Sequence, residues 1–256
     1  MRDHIISPGP AFLREPLFFG TTNAKLIDQK TATFALPAGY TCPGAKDCHS
    51  WYDREEGKLF DGKDQKFRCY AAGLEARYSN VRASVDNNLR RLKEAKTAEN
   101  MAALIDFSLP ARRFENIRVH ANGDFYSGDY FIAWMEAARR NPERVFYAYT
   151  KSLPTWVRLR KLVPTNFVLT ASYGGKFDAL IAKHNLRSAK VVMHPDEAEA
   201  LGLKIDKTDG LARDPDHGDF ALLIHGMGPA GSDHNEAIKV LNKADIHYSY
   251  PRKPTK

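Results

Sequence analysis

Apolar residues recur along this chain with two different periods, and the switch between them is the first structural signal. Val81, Val85, Leu89 and Leu92 follow one another at intervals of three and four, and Met101 and Leu104 resume the pattern after Thr97. This spacing predicts two amphipathic helices broken near Thr97. From residue 116 onward, short β-branched and aromatic runs alternate with helical stretches. NIRVH, RVFYAYT, NFVLTAS, KVVMH and FALLIH read as strands. DYFIAWMEAARR, LPTWVRLRKL, FDALIAKH, DEAEALGL and DHNEAIKVLNKA read as the helices that follow them, with IHYSY as a further candidate strand. The first of these helices should stop at Asn141-Pro142, since a proline restricts the residue before it.

Strands separated by helices predict βα units, because parallel neighbours need crossovers of that kind. The pattern therefore predicts one α/β domain. Residues 1–69 form an irregular N-terminal segment that bears the cysteines and one possible strand, TATFAL (residues 31–36). Residues 70–256 form a helical stretch and a (β/α) repeat, arranged as a partial or complete TIM-like barrel.

In parallel α/β folds the loops after the strand ends build the functional site. Polar residues gather at that edge here. The first strand of the repeat runs into His120, Asn122, Gly123, Asp124, Tyr126 and Ser127; the second into Tyr149, Thr150, Lys151 and Ser152; the third into Ser172 and Tyr173; later ones into His194 and His225. Taken singly, each has a bland account: Ser127 or Asp129 caps the next helix, and the histidines and tyrosines pack. Their recurrence at one edge is what points to a site. Candidate catalytic residues are Asp124, Lys151 and His225, and candidate cofactor contacts are His120, Asn122, Gly123, Asp124, Tyr126, Ser127 and Ser172. In HGMGPAGSDH, Gly226, Gly228 and Ser232 add a candidate phosphate or carboxylate site at a helix start, or equally a glycine-rich turn with an N-cap.

Three cysteines precede the first long helix. Five residues separate Cys42 from Cys48, and twenty separate Cys48 from Cys69. Three thiolates can hold a four-iron cluster with one iron left open, or zinc with a fourth ligand such as His49; three buried structural cysteines are the alternative. An odd number of cysteines argues against a disulfide framework. The chain has 256 residues, 43% of them hydrophobic, enough for a substantial core. Its 38 Lys and Arg outnumber 31 Asp and Glu, for a net charge of +7, which favours anionic partners such as a nucleotide or nucleic acid. No apolar run is long enough to cross a bilayer and MRDHIISPGP has no signal-peptide core, so a cytoplasmic protein without membrane partners is expected.

FALPAGYTCPGAKDC, RCYAA, RVHANGDFYSGDYFIAW, FYAYTKSLP and FALLIHGMGPAGS resemble, in this order, the phage "gene product eighty-eight" family, from about Asn23 to Ala244. That resemblance implies a protein of phages and integrated elements, hence a host-cytoplasm location, and little about activity. More distantly, N-terminal cysteines ending in CYA before a βα series resemble radical S-adenosylmethionine (SAM) proteins. There, three cysteines hold a four-iron cluster whose open iron takes the amino and carboxylate groups of SAM. A glycine-acid motif after an early strand contacts the SAM amino group, and Gly123 and Asp124 match it. The long gap between Cys48 and Cys69 departs from the close spacing usual in that superfamily.

The expected function is therefore a radical-SAM-like iron–sulfur enzyme, with nucleotide or nucleic acid as candidate substrate. Two alternatives stand beside it: a zinc-containing nucleic-acid-binding protein, and a metal-free barrel enzyme for base exchange or glycosyl transfer that uses Asp124 as acid, base or nucleophile.

Overall fold

The computed structural model describes residues 11–246 apart from residues 14, 24, 25, 27, 28 and 227. In chain order its strands are β1 (Phe19–Gly20), β2 (Thr31–Ala35), β3 (Ser50–Asp53), β4 (Lys58–Asp61), β5 (Asn116–Asn122), β6 (Val145–Thr150), β7 (Phe167–Ser172), β8 (Ser188–Val192) and β9 (Phe220–Leu223). The helices are α1 (Tyr70–Arg77), α2 (Ser79–Ala95), α3 (Ala98–Ser108), α4 (Gly128–Arg140), α5 (Leu153–Leu159), α6 (Ala179–His184), α7 (Pro195–Ala200), α8 (Gly210–Arg213) and α9 (Asp233–Lys243). One seven-stranded sheet runs β1-β2-β5-β6-β7-β8-β9, and β3 and β4 form a separate hairpin. β1 is antiparallel to β2; every later pair is parallel. Six parallel strands thus stand side by side in the order in which the chain makes them.

The largest core lies between the sheet and α3 and α4. Ile117 and Val119 of β5, Phe146 and Ala148 of β6, and Phe167 and Leu169 of β7 meet Tyr130, Phe131, Trp134 and Ala138 of α4. These positions alternate along each strand and follow a three-four spacing along the helix, so one apolar stripe meets another. Ser127 caps α4 by accepting from the Tyr130 amide, and Asn141-Pro142 ends it. Thr97 caps α3, at the predicted break; a second break at Tyr78, which the spacing did not predict, divides α1 from α2.

The opposite face carries Tyr147, Val168 and Phe220, covered in part by Leu211 and Ala212 of α8. The pattern predicts a partial or complete TIM-like barrel; among the described residues no ladder joins β9 to β1 or β2, and the seven strands form an open sheet. Two things account for this. The outer edge of β2 is already paired with β1, and the segment that holds α8 crosses to the first strands instead. Arg213 Nη1 reaches the Gln29 carbonyl at 3.4 Å, and Asp209 accepts from Arg118 and Tyr147. IHYSY falls largely outside the described residues.

Candidate active site at the carboxyl edge of the sheet

The end of β5 is irregular in a way that its sequence requires. Its register against β2 slips between Thr33 and Ala35, where four steps of β5 answer two of β2. His120 lies in this bulge with φ +67, a left-handed conformation uncommon outside glycine. Its ring turns toward the core, with Nε2 3.0 Å from Tyr130 Oη. It is 4% exposed, and burial lowers its pKa from 6.5 to about 3, so the imidazole is neutral. Gly123, at φ +83, permits the turn; a Cβ there would stand 2.5 Å from Thr41 Oγ1 and 2.7 Å from Leu36 Cβ.

Asp124 follows, fully inside the protein. Its Oδ1 accepts from the Phe125 amide at 2.7 Å and from Thr150 Oγ1 at 2.6 Å, and its Oδ2 from the Lys151 amide at 2.8 Å. Burial raises its pKa, and these hydrogen bonds oppose the rise. The carboxylate thus ties the end of β5 to the end of β6, a positioning task that accounts for both oxygens. Lys151 is buried as well. Its Nζ donates to Ser172 Oγ, to the Ser172 carbonyl at 3.2 Å and to the Tyr173 carbonyl at 2.8 Å, which binds β6 to the end of β7.

The cysteines reach this edge by an unexpected route. Cys42 lies in the loop after β2, Cys48 two residues before β3, and Cys69 immediately before α1. The twenty intervening residues are taken up by the β3–β4 hairpin, which leads the chain out and back. Its neck is closed on both sides. The Gly62 amide donates to the His49 carbonyl at 2.7 Å, the amides of Lys66 and Phe67 to the Asp47 carbonyl at 2.8 and 3.0 Å, and the Cys69 amide to Ser50 Oγ at 3.2 Å. Residues flanking Cys48 therefore hold residues flanking Cys69. The loop around Cys42 is pinned to the β7 edge, where the Asp47 amide donates to the Gly174 carbonyl and the Lys176 amide to that of Gly44.

The thiols sense one another. Burial pushes Cys42 well above its usual 9.0, and Asp124, Cys69 and Cys48 add to the rise. Burial pushes Cys69 up to about 12, Cys48 adds to it, and the amides of Ala72 and Ala71 at the start of α1 oppose it. All three thiols open on one cavity of about 190 Å³ at the carboxyl edge of the sheet.

The same cavity is lined by His120, Asn122, Gly123 and Asp124 from β5 and its loop, by Lys151 and Ser172, and by His225. His225 packs against Tyr70 with ring centroids 4.8 Å apart and planes tilted by 39°, and Tyr70 Oη donates to the Ala121 carbonyl, so α1 and the end of β9 close one side. Five expected residues do not line it. Tyr126 stacks on Tyr130 at 4.5 Å on the helix side, and Ser127 is the cap of α4. Gly226 packs against Tyr70 and Gly228 against His234, where a Cβ would stand 2.8 Å from the histidine Cβ. Ser232 caps α9, whose first turn already carries Asp233 and Glu236, so the turn-and-cap reading describes this stretch. The cavity also holds Arg118, which the sequence reasoning passed over: inside NIRVH it looks like a residue on a solvated strand face.

Among the described residues, no group of three or more His, Cys, Asp or Glu side chains is placed to hold a metal ion. Nor is any described helix long and apolar enough to cross a membrane.

Fold and site together define an α/β protein whose parallel strands end at a cavity walled by three thiols. The chain belongs to the Gene product 88 family, whose model matches residues 16–241. It is similar to the Gene 88 protein of Mycobacterium phage L5, with 30% identity over 90 residues, a stretch covering 32% of this chain and 38% of that protein. No solved structure matches it.

Proposed function

We propose that the cavity is the active site of a radical-SAM-like iron–sulfur enzyme of phage or mobile-element origin, built on a partial barrel and acting on a nucleotide or nucleic acid. One observation carries this reading: three cysteines spread from residue 42 to residue 69 open on the same cavity as the ends of β5, β6 and β7. The hairpin accommodates their spacing, because its closed neck brings the flanks of Cys48 and Cys69 together.

The donor set suits a cluster better than a lone ion. A cubane spreads its thiolates over several irons, so they need not converge on one point. Cys42, Cys48 and Cys69 would hold it, leaving one position open, and it would supply one-electron chemistry to a SAM molecule bound beside it. The strand order also fits, since six parallel strands laid down in sequence are those of a barrel that stops before closing. Within the site, Asp124 and Lys151 act as supports whose own hydrogen bonds fix the strand ends. Asn122, 8% exposed and without a side-chain hydrogen bond among the described residues, is the better candidate for direct contact with a bound amino or carboxylate group. Gly123 and the neutral His120 shape the turn that presents it.

The test is metal and sulfide analysis with an absorption spectrum on protein purified without oxygen, beside a variant with Cys42, Cys48 and Cys69 all changed to Ala. About four irons per chain, absent from the variant, with broad visible absorption that bleaches on reduction, is the expected result. Stoichiometric zinc, or no metal in either sample, overturns it.

A further inference from the structure

The cavity wall carries a largely buried guanidinium whose hydrogen-bonding capacity its surroundings do not fill. Arg118 stands on β5 between Ile117 and Val119, facing the cavity rather than the helices. Its Nη1 donates to Asp209 Oδ2 at 2.9 Å, and the same oxygen, on a residue 1% exposed, accepts from Tyr147 Oη at 2.9 Å. Among the described residues Nε has no partner and Nη2 makes no hydrogen bond, while the Tyr149 ring lies against the guanidinium at 5.5 Å. Burial would lower the pKa of this group, but Asp209 and the neighbouring tyrosines hold it well above its ordinary value. Lys151, 8% exposed, spends its donors on three neutral oxygens and forms no ion pair among the described residues. Arg68 also lines the cavity but is already paired with Asp61, its Nε 3.1 Å from Oδ1, so Arg118 and Lys151 are the cations that matter here.

A fixed guanidinium with an open edge is a fork for an oxyanion, and Asp209 behind it sets the orientation in advance. A buried ammonium whose hydrogens are all engaged acts as a point charge, and an entering anion offsets the cost of burying it. We propose that the cavity binds its ligand through an oxyanion group, phosphate or carboxylate, seated on the open edge of Arg118 with Lys151 as the second positive charge. This deepens the proposed site and rests on that reading only in treating the cavity as functional; it does not require the thiols.

The test is titration calorimetry with inorganic pyrophosphate and, separately, SAM. The proteins are the wild type, Asp209→Asn, the double variant Arg118→Gln with Asp209→Asn, and the three-cysteine variant. Asp209→Asn keeps an oxygen that can accept from Nη1 and orient the guanidinium but removes the competing negative charge, and should bind the anion several-fold more tightly. The double variant replaces the ion pair with neutral groups of similar shape and should bind about tenfold or more weakly, the scale of a charged hydrogen bond. A purely structural ion pair predicts no such opposite responses. If the pattern appears with pyrophosphate, the anion is a phosphate of the substrate; if with SAM, it is the carboxylate of the cofactor. Equal affinity across the set, or no binding of either probe to wild type, overturns the inference. Pyrophosphate binding retained in the three-cysteine variant leaves it standing even where iron is absent from both proteins. Iron present with binding indifferent to Arg118 removes it alone.

Discussion

On β5, Ile117 and Val119 turn toward α3 and α4 while Arg118 between them turns to the cavity, and the same division runs across β6, where Phe146 and Ala148 face the helices and Tyr147 faces Asp209. The helix face is dry, aromatic and closed. The cavity face holds an ion pair, tyrosine hydroxyls and, at its upper edge, three thiols. Both faces come from one set of strands, so fold and chemistry are carried by adjacent residues, separated only by the direction in which a side chain leaves the backbone.

That separation can be broken experimentally. The largest effect is expected on the helix face. Trp134 is fully buried, with its ring 5.2 Å from Phe34 and 6.3 Å from Phe146. Trp134→Ala should cost about 3–5 kcal/mol in urea unfolding while leaving the pyrophosphate affinity of the folded fraction unchanged. If affinity falls in step with stability, the two faces are not independent.

His120 sharpens the comparison because it belongs to both faces: it lines the cavity but bonds to Tyr130 in the core. Its folded pKa of about 3 lies below its ordinary 6.5. The unfolded chain therefore takes up a proton in that window and the folded chain does not. The contribution is fully present above pH 6.5 and is lost as the pH falls toward 3, at a limiting slope of about 1.4 kcal/mol per pH unit. Urea titrations across that range should show a steeper slope in wild type than in His120→Asn, a residue that tolerates the left-handed backbone, the remainder coming from groups such as His49 and His234, whose pKa burial also lowers. An unchanged slope in the variant would assign the acid sensitivity to other groups.

The smallest effect belongs to the rim. Ser172→Ala removes one of three acceptors from the Lys151 ammonium and should cost about 1 kcal/mol, read as a shift in urea midpoint at constant slope. A loss several times larger would mean that the rim carries the fold as well as the site.

The order of βα units was legible because its strands, even four-residue β9, are apolar runs set off from polar helical stretches by turn residues. The β3–β4 hairpin was not. Ser50–Asp53 and Lys58–Asp61 are four residues each, partly exposed, and their pairing comes from a turn in which Gly57 takes φ +65. Four-residue α8 is likewise too short for a helical period. At the site, position along the chain singled out Asp124, Lys151 and Ser172, because strand ends cluster in any parallel sheet, while the cysteines stood out by their number and their capacity as ligands. It could not tell which side of the sheet a residue past the strand end would take, so Tyr126 and Ser127 looked equivalent to Asn122. Arg118 escaped notice because a charged residue within an alternating strand reads as solvent-facing, and here that face is the cavity. Whether the sheet closes was also not written in the pattern, since closure depends on the edge partner of β2, and β1 is two residues long.

The hairpin also uncouples distance along the chain from distance in space. Its neck, from Asp47 to Ser50 on one side and from Gly62 to Cys69 on the other, fixes the geometry of the thiols, while Glu55, Glu56 and Gly57 at its tip are exposed. The tip can lengthen without disturbing the neck. It is therefore a natural insertion point, where a fluorophore or affinity tag could be grafted a few residues from the cysteines in sequence yet outside their cavity, and where related chains can differ in length while keeping the same three thiols in place.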